Sequence, residues 1–410
     1  MNLTNIVLTK LTTKVVGMFV GYVENVDTLK FDGPRIIVAN HSSYMDHFVI
    51  LYLLKKQNPK QSVYFLTKKE AFERSFSRWW HLSLNCIPVD RNQNALTSMM
   101  TLKDKLINEN AVVVIYPEGT RTPNGRMYHG KSGAESLSYA TKVQIVPIGM
   151  HGVFDVLPKF TVLPKFRKVS VKVGKEVRIS KSDRKEIPKI STSNIKYLSE
   201  LAQEQLEVES IESINVKDEM LRVMFENNQK ALRDYPDDIH TPFEYHRRVI
   251  YIGRILLKKF DVTTKEKSDI LKEMARAFGR LGYLKGVKTS FGRYYMKKTT
   301  AALKEAAICY EKDSEWYYIK GHQYLFLGDK KRYLENLIEA NAMEENRIQY
   351  KIALAKAMIL NNKFISARTI LLAILKMSSD NQVDARRKVE AKVMMMRLDP
   401  NFGTNQGELS

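Results

Sequence analysis

Short β-rich runs alternate with helix-like stretches in the first half of the chain, and this alternation constrains the fold more than any other feature. The runs that read as strands, rich in β-branched and apolar residues, are 35–39, 62–67, 111–116, 143–148 and 169–173. Segments whose apolar residues recur at helical spacing lie between these runs, for example 95–107. This order predicts an α/β fold, a layered sheet with flanking helices. Polar residues that follow the strands would then lie at the sheet edge where open α/β folds bind ligands.

Strand signals nearly vanish from about residue 193 onward. The segment PDDIHTP at 236–242 predicts a break, so we expect an α/β domain over 26–192, a helical linker over 193–240 and an all-helical domain over 241–410. Within that last domain LGDK (327–330) and LNNK (360–363) lie 33 residues apart. The period resembles that of the tetratricopeptide repeat, a stacked helix-turn-helix unit. A plain helical bundle remains the alternative.

The N-terminal residues 1–25 form a separate amphipathic segment. Apolar residues recur there at helical spacing with lysines between them: Leu8, Leu11, Val15, Phe19 and Tyr22, with Lys10 and Lys14. This pattern predicts either an interfacial helix that lies in the headgroup region of a membrane or an ordinary helix that packs on the core. No run of eighteen apolar residues occurs, so the sequence predicts no membrane span.

Composition limits the classes of partner. The net charge of +21 suits nucleic acid, an anionic membrane surface or an acidic protein. No nucleic-acid-binding signature accompanies the charge, which favours the other two. The two cysteines, Cys86 and Cys309, provide no disulfide framework and indicate a reducing compartment. The histidines lack zinc-site spacing, so we expect no metal.

His41 and Asp46 stand five residues apart directly after the first predicted strand, within NHSSYMD. A carboxylate can orient a histidine and fix its tautomer, so that the other ring nitrogen takes a proton from a hydroxyl group. On a regular helix, positions five apart point about 140° away from each other. The pair therefore predicts a turn that leads into a helix, with Ser42 or Ser43 as N-cap and Asp46 in the first turn.

Four further segments follow in order: IPVDR at 87–91, VVVIYPEGTR at 112–121, HGKSGA at 129–134 and IVPIG at 145–149. With NHSSYMD they resemble the conserved blocks of the glycerolipid acyltransferase family (1-acylglycerol-3-phosphate acyltransferase-like), whose signature is the HX4D motif. Tyr116 replaces the family's phenylalanine before PEGTR, and Asn85 stands where a glycine is usual before the second block. The resemblance covers about residues 30 to 180.

This resemblance implies transfer of a fatty acyl group from an acyl thioester, acyl-ACP or acyl-CoA, to the hydroxyl of a lysophosphatidic-acid-like acceptor. No other cofactor is implied. The same chemistry on an aminoacyl lipid, a lysophospholipid or a specialised metabolite is one alternative. A non-catalytic lipid-binding protein that recruits a partner through its helical domain is another. A serine hydrolase is not favoured, because GxSxG is absent around Ser42 and Ser43.

The resemblance also assigns roles to the motif residues. His41 is the expected general base and Asp46 its orienting carboxylate. The expected substrate-binding residues are Arg91, Glu118, Gly119, Thr120, Arg121 and Lys131, with the three cations binding a phosphate and Glu118 binding acceptor hydroxyls.

Basic side chains outnumber acidic ones between residues 159 and 189 and are interleaved with apolar residues such as Phe160, Leu163 and Phe166. We interpret this stretch as a strand pair, VSVKVGKEVRIS, with a basic surface for anionic lipid or a carrier protein. The predicted localisation is cytoplasmic, peripherally associated with the inner face of the membrane. A protein partner at the helical domain is also expected.

Overall fold

The computed structural model describes residues 15–29, 32–57, 61–73, 75–89, 95–161, 163–231, 242–379, 381–399 and 402. The chain divides into two units, Met1–Val216 and Lys217–Ser410. Each unit has hydrophobic clusters of its own.

The first unit is built on one sheet, whose seven strands in the described residues have the order β1-β7-β6-β2-β5-β3-β4. The strands are Val20–Glu24 (β1), Arg35–Ala39 (β2), Val63–Lys68 (β3), Cys86–Val89 (β4), Val112–Ile115 (β5), Ile145–His151 (β6) and Val169–Val173 (β7). All neighbouring strands are parallel except β6 and β7, which are antiparallel. The predicted α/β class is confirmed.

Helices cover both faces of this sheet. They are Asp46–Lys56 (α1), Ser75–Ser83 (α2), Ala95–Asn108 (α3), Gly133–Thr141 (α4), Val153–Val156 (α5) and Ile187–Ala202 (α6), with short 3-10 turns at Val26–Thr28, Lys69–Phe72 and Lys181–Glu186. Apolar residues of α1 pack on one face, and those of α3, α4 and α6 pack on the other. Because both faces are covered, β5 is a continuous run of buried apolar residues.

Two secondary-structure predictions for this unit were wrong. Val20–Val23 were expected in a helix but belong to β1, which pairs with β7; the residues before Val15 lie outside the described part. The predicted second strand of VSVKVGKEVRIS is also absent from the described residues: Val177 makes only an isolated bridge to Ile145.

The predicted boundary at residue 192 was wrong as well, since it falls inside α6. This helix packs so closely on β6 that a Cβ placed on Gly149 would lie 2.3 Å from the backbone nitrogen of Ala202. The contact requires a glycine. The first unit therefore includes α6 and extends to Val216.

The second unit is helical throughout its described residues. Its helices are Val216–Lys230 (α7, which starts at the unit boundary), Pro242–Lys259 (α8), Thr264–Leu284 (α9), Ser290–Cys309 (α10), Ser314–Phe326 (α11), Lys330–Met343 (α12), Ile348–Leu360 (α13), Phe364–Lys376 (α14) and Gln382–Leu398 (α15). The repeated LGDK and LNNK segments form equivalent turns between α11 and α12 and between α13 and α14. Gly328 and Asn362 adopt positive φ in them. Within the described ranges, no helix has both the length and the hydropathy to cross a membrane.

Candidate active site

The candidate site lies at the edge where β2, β5, β3 and β4 end. These four strands are neighbours and run parallel, so their carboxyl ends meet at this edge. β2 leads into His41, and its Val38 pairs with Ile115 of β5, the strand that precedes PEGTR. The loops that carry NHSSYMD and YPEGTR are therefore adjacent, as open α/β sheets predict. Arg91 follows β4 in the sequence but lies outside the described residues, so its role stays a prediction.

His41 and Asp46 form the predicted pair. The distance between His41 Nδ1 and Asp46 Oδ2 is 2.7 Å. The same oxygen accepts the backbone N–H groups of Ser42 at 2.8 Å and Ser43 at 2.9 Å. When Asp46 is ionised its oxygens can only accept, so in that state Nδ1 carries the ring proton and Nε2 keeps the lone pair that a general base needs.

The local helix start differs from the prediction. Neither serine is the N-cap: α1 begins at Asp46 and its N-cap is Met45. Asp46 instead reaches back to the serine N–H groups, and the hydroxyl oxygen of Ser43 accepts from the backbone N–H of Met45 at 3.0 Å. This turn brings His41 and Asp46 into contact without a continuous helix between them.

Asp46 is fully buried, and burial raises the pKa of its carboxyl group to about 8. The N–H groups of Ser43 and Ser42 and the nearby charge of Arg121 oppose this rise. The pKa of neighbouring His47 is lowered, chiefly by burial. A strongly perturbed carboxyl group at a strand-end cleft is characteristic of functional sites.

Glu118 connects two loops of the site. One carboxylate oxygen accepts the backbone N–H of His41 at 2.7 Å, and the other accepts that of Tyr128 at 3.2 Å. The side chain is 3% exposed. The next residue, Gly119, has φ +72° and donates its N–H to the Tyr116 carbonyl. Glu118 thus positions the His41 loop; its expected contact with acceptor hydroxyls stays a prediction.

Replacing Glu118 with glutamine should change how stability depends on pH. Burial raises the pKa of this carboxyl group from 4.5 to about 8 in the folded protein. The folded state therefore keeps a proton that the unfolded chain loses, and the protein loses stability as the pH rises from about 4.5 to 8. Glu118→Gln cannot lose a proton, so this loss of stability with rising pH disappears. The amide NH2 group cannot accept a hydrogen bond, so the variant keeps only one of the two hydrogen bonds from backbone N–H groups.

We expect the melting temperature of Glu118→Gln to be below that of the unaltered protein at pH 5 and to recover toward or above it at pH 8.5. Thermal unfolding followed by circular dichroism at both pH values measures this difference. Glu209→Gln, an exposed carboxylate in the same unit, should show no such trend. A Glu118→Gln difference that is independent of pH would contradict the buried, protonated carboxyl group.

The predicted cations occupy different surroundings. The Arg121 guanidinium lies 3.5 Å from the centre of the Tyr44 ring, beside the His41 loop, and its charge acts on Asp46. Thr120 is half-buried in the preceding turn. Lys131 is 61% exposed and forms an ion pair with Glu212 at 2.9 Å. No hydrogen bond or ion pair joins Lys131 to another predicted site residue within the described segments. Of the two predicted cations in the described residues, Arg121 therefore lies at the candidate site.

Tyr116 and Asn40 also hold the His41 side chain and its loop in position. The Tyr116 ring stacks on the imidazole, with centroids 4.2 Å apart and planes tilted by 16°. The Asn40 amide exchanges two hydrogen bonds with the backbone of Met150 in β6, at 2.9 and 2.8 Å. The stacking by Tyr116 was not predicted from the sequence. The only sequence signal for this stacking is that Tyr116 directly follows β5, the strand beside β2.

Among the described residues, no group of three or more histidine, cysteine, aspartate or glutamate side chains has the geometry of a metal site.

Residues 21–151, all in the first unit, match the family model described as Acyltransferase. The chain is 29% identical over 128 residues to a chloroplastic 1-acyl-sn-glycerol-3-phosphate acyltransferase of Brassica napus, covering 31% of this chain and 36% of that protein. It is 33% identical over 116 residues to 1-acyl-sn-glycerol-3-phosphate acyltransferase beta of Homo sapiens, covering 28% and 40%. The chain thus spans less than half the length of these relatives.

Two solved structures are also similar. The 1-acyl-sn-glycerophosphate acyltransferase PlsC of Thermotoga maritima is 23% identical, with a TM-score of 0.37, over 48% of this chain and 81% of that chain. A thermophilic tetratricopeptide-repeat protein of Thermus thermophilus is 16% identical, with a TM-score of 0.32, over 43% and 99%.

Proposed function

We propose that this protein transfers a fatty acyl group from an acyl thioester to the hydroxyl group of a lysophosphatidic-acid-like lipid. The observation that carries the proposal is the 2.7 Å contact between His41 and the buried Asp46, at the carboxyl edge of the sheet of an acyltransferase-family domain. Glu118, Tyr116 and Asn40 hold this pair in place. A pre-positioned base of this kind suits attack by a hydroxyl group.

The reaction then needs no protein nucleophile. Nε2 of His41 takes the proton of the acceptor hydroxyl as its oxygen attacks the thioester carbonyl carbon. The new C–O bond forms and the C–S bond breaks. The leaving thiolate takes the proton back from the imidazolium, which yields the acyl ester and the free thiol. Asp46 stabilises the imidazolium between these two proton transfers.

An acceptor with a phosphate group fits the charge at the site. Arg121 lies beside the His41 loop, and a guanidinium binds phosphate oxygens in a bidentate geometry. The relatives described above act, by their names, on 1-acyl-sn-glycerol-3-phosphate. For the donor, acyl carrier protein is acidic and suits a chain with a net charge of +21, whereas acyl-CoA offers the same thioester.

The test is a panel of acceptors given to the purified full-length protein with radiolabelled acyl-ACP and, separately, acyl-CoA. We expect lysophosphatidic acid to be acylated and monoacylglycerol, which lacks the phosphate, to react far more slowly. Preference for a lysophospholipid, an aminoacyl lipid or a specialised metabolite would support the same acyl-transfer mechanism with a different acceptor. Vesicle binding without any transfer would favour the non-catalytic recruitment protein.

We further propose that the first unit docks on an anionic membrane, at the inner face in the cytoplasm. Its docking surface, here called the basic-apolar face, is formed by Met18, Leu163, Phe166, Arg167 and Lys168. The side chains of Leu163 and Phe166 are 80% and 57% exposed. Lys168 Nζ donates to the Met18 carbonyl at 3.0 Å, which joins the two segments. Exposed apolar side chains among cations suit anionic interfaces.

The segment that precedes the loop of the basic-apolar face contacts the His41 loop of the candidate site. The hydroxyl of Ser43 donates to the carbonyl of Leu157 at 2.8 Å, and the backbone N–H of Tyr44 donates to the same carbonyl at 3.2 Å. The loop that carries Leu163 begins directly after this contact. A lipid drawn from the membrane at this face would therefore have a short path to His41.

The double variant Leu163→Glu/Phe166→Glu should bind anionic vesicles at least about tenfold more weakly, because it removes apolar contact and adds negative charge. Co-sedimentation with phosphatidylglycerol-containing vesicles measures this change. The matched control is Ile107→Glu in α3, an exposed apolar residue on a helix that packs on the opposite face of the sheet. Equal binding by the double variant and the control would contradict the docking surface.

A further inference from the structure

Three turns of the second unit lie side by side along one edge. They join α9 to α10, α11 to α12 and α13 to α14. The Tyr283 ring stacks on the Phe326 ring with centroids 4.9 Å apart, which connects the first turn to the second. The Asn361 amide donates to the Lys330 carbonyl at 2.9 Å, which connects the second turn to the third. The three turns, residues 283–291, 326–331 and 360–365, are here called the turn edge.

Apolar side chains are exposed at each turn of this edge. The most exposed are Phe291 at the first turn (69%), Leu327 at the second (51%) and Ile365 at the third (86%). Four others are exposed as well: Tyr283, Leu284, Leu360 and Phe364. Single apolar side chains on a surface need no partner, whereas a continuous row of them marks an interaction surface.

The turn edge is also basic. It has five exposed lysines, Lys285, Lys288, Lys330, Lys331 and Lys363. None of them forms an ion pair with a carboxylate in the described part of the chain. The one acidic residue of the turn edge, Asp329, is the N-cap of α12 and accepts the backbone N–H of Arg332 at 3.0 Å. The positive charge of the lysines is therefore available to an anionic surface.

The turns at the other ends of these helices have the opposite charge. Short connections make consecutive helices antiparallel, so alternate turns lie at opposite edges. The turn between α10 and α11 contains Glu311 and Asp313, and the turn between α12 and α13 contains Glu344 and Glu345. An anionic surface would attract the turn edge and repel these acidic turns, so it would orient the second unit.

We propose that the turn edge docks on an anionic membrane, with its apolar side chains in the headgroup region and its lysines beside the lipid phosphates. Apolar and aromatic side chains among lysines suit this interface. Leucine and isoleucine side chains cannot stack on nucleic-acid bases as aromatic rings do. A bilayer interface accepts them without a shaped groove. This contact involves the second unit alone and is additional to the basic-apolar face of the first unit.

A site-specific probe tests the contact in the full-length protein. Ile365→Cys is labelled with nitrobenzoxadiazole, a dye whose emission increases and shifts to shorter wavelength in an apolar environment. The matched control is labelled Ile308→Cys, at the end of α10 opposite to Phe291 and 75% exposed. Both variants also have Cys309→Ser. Cys86 stays unlabelled because it is buried, which raises the pKa of its thiol to about 11.

With phosphatidylglycerol-containing vesicles we expect the emission of the label at position 365 to increase and shift, and that at position 308 to stay unchanged. An unchanged label at position 365 in protein that co-sediments with the vesicles would overturn the proposal. Equal changes at the two positions, or no binding of the protein to the vesicles, would also overturn it.

Phe291→Gln/Ile365→Gln should bind these vesicles at least about tenfold more weakly, because two apolar side chains are lost from the interface. Ile308→Gln is the matched control and should bind normally. All three positions are exposed, and melting temperatures check that each variant is folded. Equal affinities of the double variant and the control would contradict docking by the turn edge.

Lys288→Gln/Lys331→Gln should also bind at least about tenfold more weakly at low ionic strength, and this difference should shrink as salt screens the charges. The control Lys304→Gln/Lys312→Gln removes the same charge from exposed positions outside the turn edge and should bind normally. Binding of polyglutamate or single-stranded RNA that depends on Lys288 and Lys331, without a response of the label to vesicles, would overturn the proposal and indicate an acidic protein or a nucleic acid.

The basic-apolar face of the first unit is unaltered in all these variants, and none of the measurements involves acyl transfer. Their outcome is therefore independent of the proposed enzymatic function.

Discussion

Replacing His41 with alanine is expected to reduce acyl transfer about 10²–10⁴-fold, the range that general-base catalysis supplies. The imidazole has Nδ1 bonded to Asp46 and is stacked on Tyr116, so Nε2 is the ring nitrogen that takes the acceptor proton in the proposed mechanism. Alanine leaves no group that can do so. The backbone N–H of residue 41, which donates to Glu118, is kept, so we expect the loop to retain its position.

The measurement is kcat for acyl transfer to lysophosphatidic acid, with melting temperature and vesicle binding as checks on the fold. His151→Ala is the matched control, a half-buried histidine at the end of β6 in the same unit, and should retain activity. A His41→Ala protein that is folded and turns over at the normal rate would eliminate the general-base role.

Replacing Asp46 with asparagine is expected to reduce kcat about 10²-fold while the KM for the acceptor changes little. Oδ2 accepts three hydrogen bonds, whereas Oδ1 is buried and has no hydrogen-bond partner among the described residues. The asparagine carbonyl can therefore occupy the Oδ2 position and its amino group the other. The geometry is kept, and the loss reports the missing negative charge that stabilises the imidazolium.

The pH profile provides an independent check on Asp46. Because burial raises its pKa to about 8, the ionised form that supports catalysis becomes more populated as the pH rises toward 8. The rate of the unaltered protein should rise more steeply as the pH approaches 8 than that of Asp46→Asn, which keeps only the contribution of the His41 imidazole. Asp104→Asn, an exposed carboxylate on α3, is the control. An Asp46→Asn variant with full activity and an unchanged profile would contradict the role of Asp46.

The sequence was sufficient to predict the elements whose signals are local. The strands β2, β3, β5, β6 and β7 follow compact β-rich runs, and all were predicted within a few residues. The pairing of His41 with Asp46 was predicted from their chemistry and from the resemblance of NHSSYMD to the family's block, and their spacing indicated that a turn into a helix must lie between them. Asn85 is a related case. It adopts φ +52°, a left-handed conformation that asparagine tolerates, which explains why glycine is usual there.

Features that depend on distant partners were not predictable in this way. β1 exists because Val20–Glu24 pairs with β7, nearly 150 residues later. The local spacing of apolar residues predicted a helix there. Glu118 reads as a ligand-binding acid in the sequence, but its oxygens accept backbone N–H groups that have no sequence signature. The unit boundary depends on the contact of α6 with Gly149.

The central claim is that the hydroxyl of a lipid acceptor, activated by the His41–Asp46 pair, attacks the thioester directly. The most direct test is a rapid-quench experiment with radiolabelled acyl-ACP, started with and without lysophosphatidic acid, on the unaltered protein and His41→Ala. The proposed mechanism predicts that label passes to phosphatidic acid only when the acceptor is present, that none accumulates on the protein, and that His41→Ala forms product at least about 10²-fold more slowly. Label bound to the protein before the acceptor is added, or phosphatidic acid formed at the normal rate by His41→Ala, would contradict it.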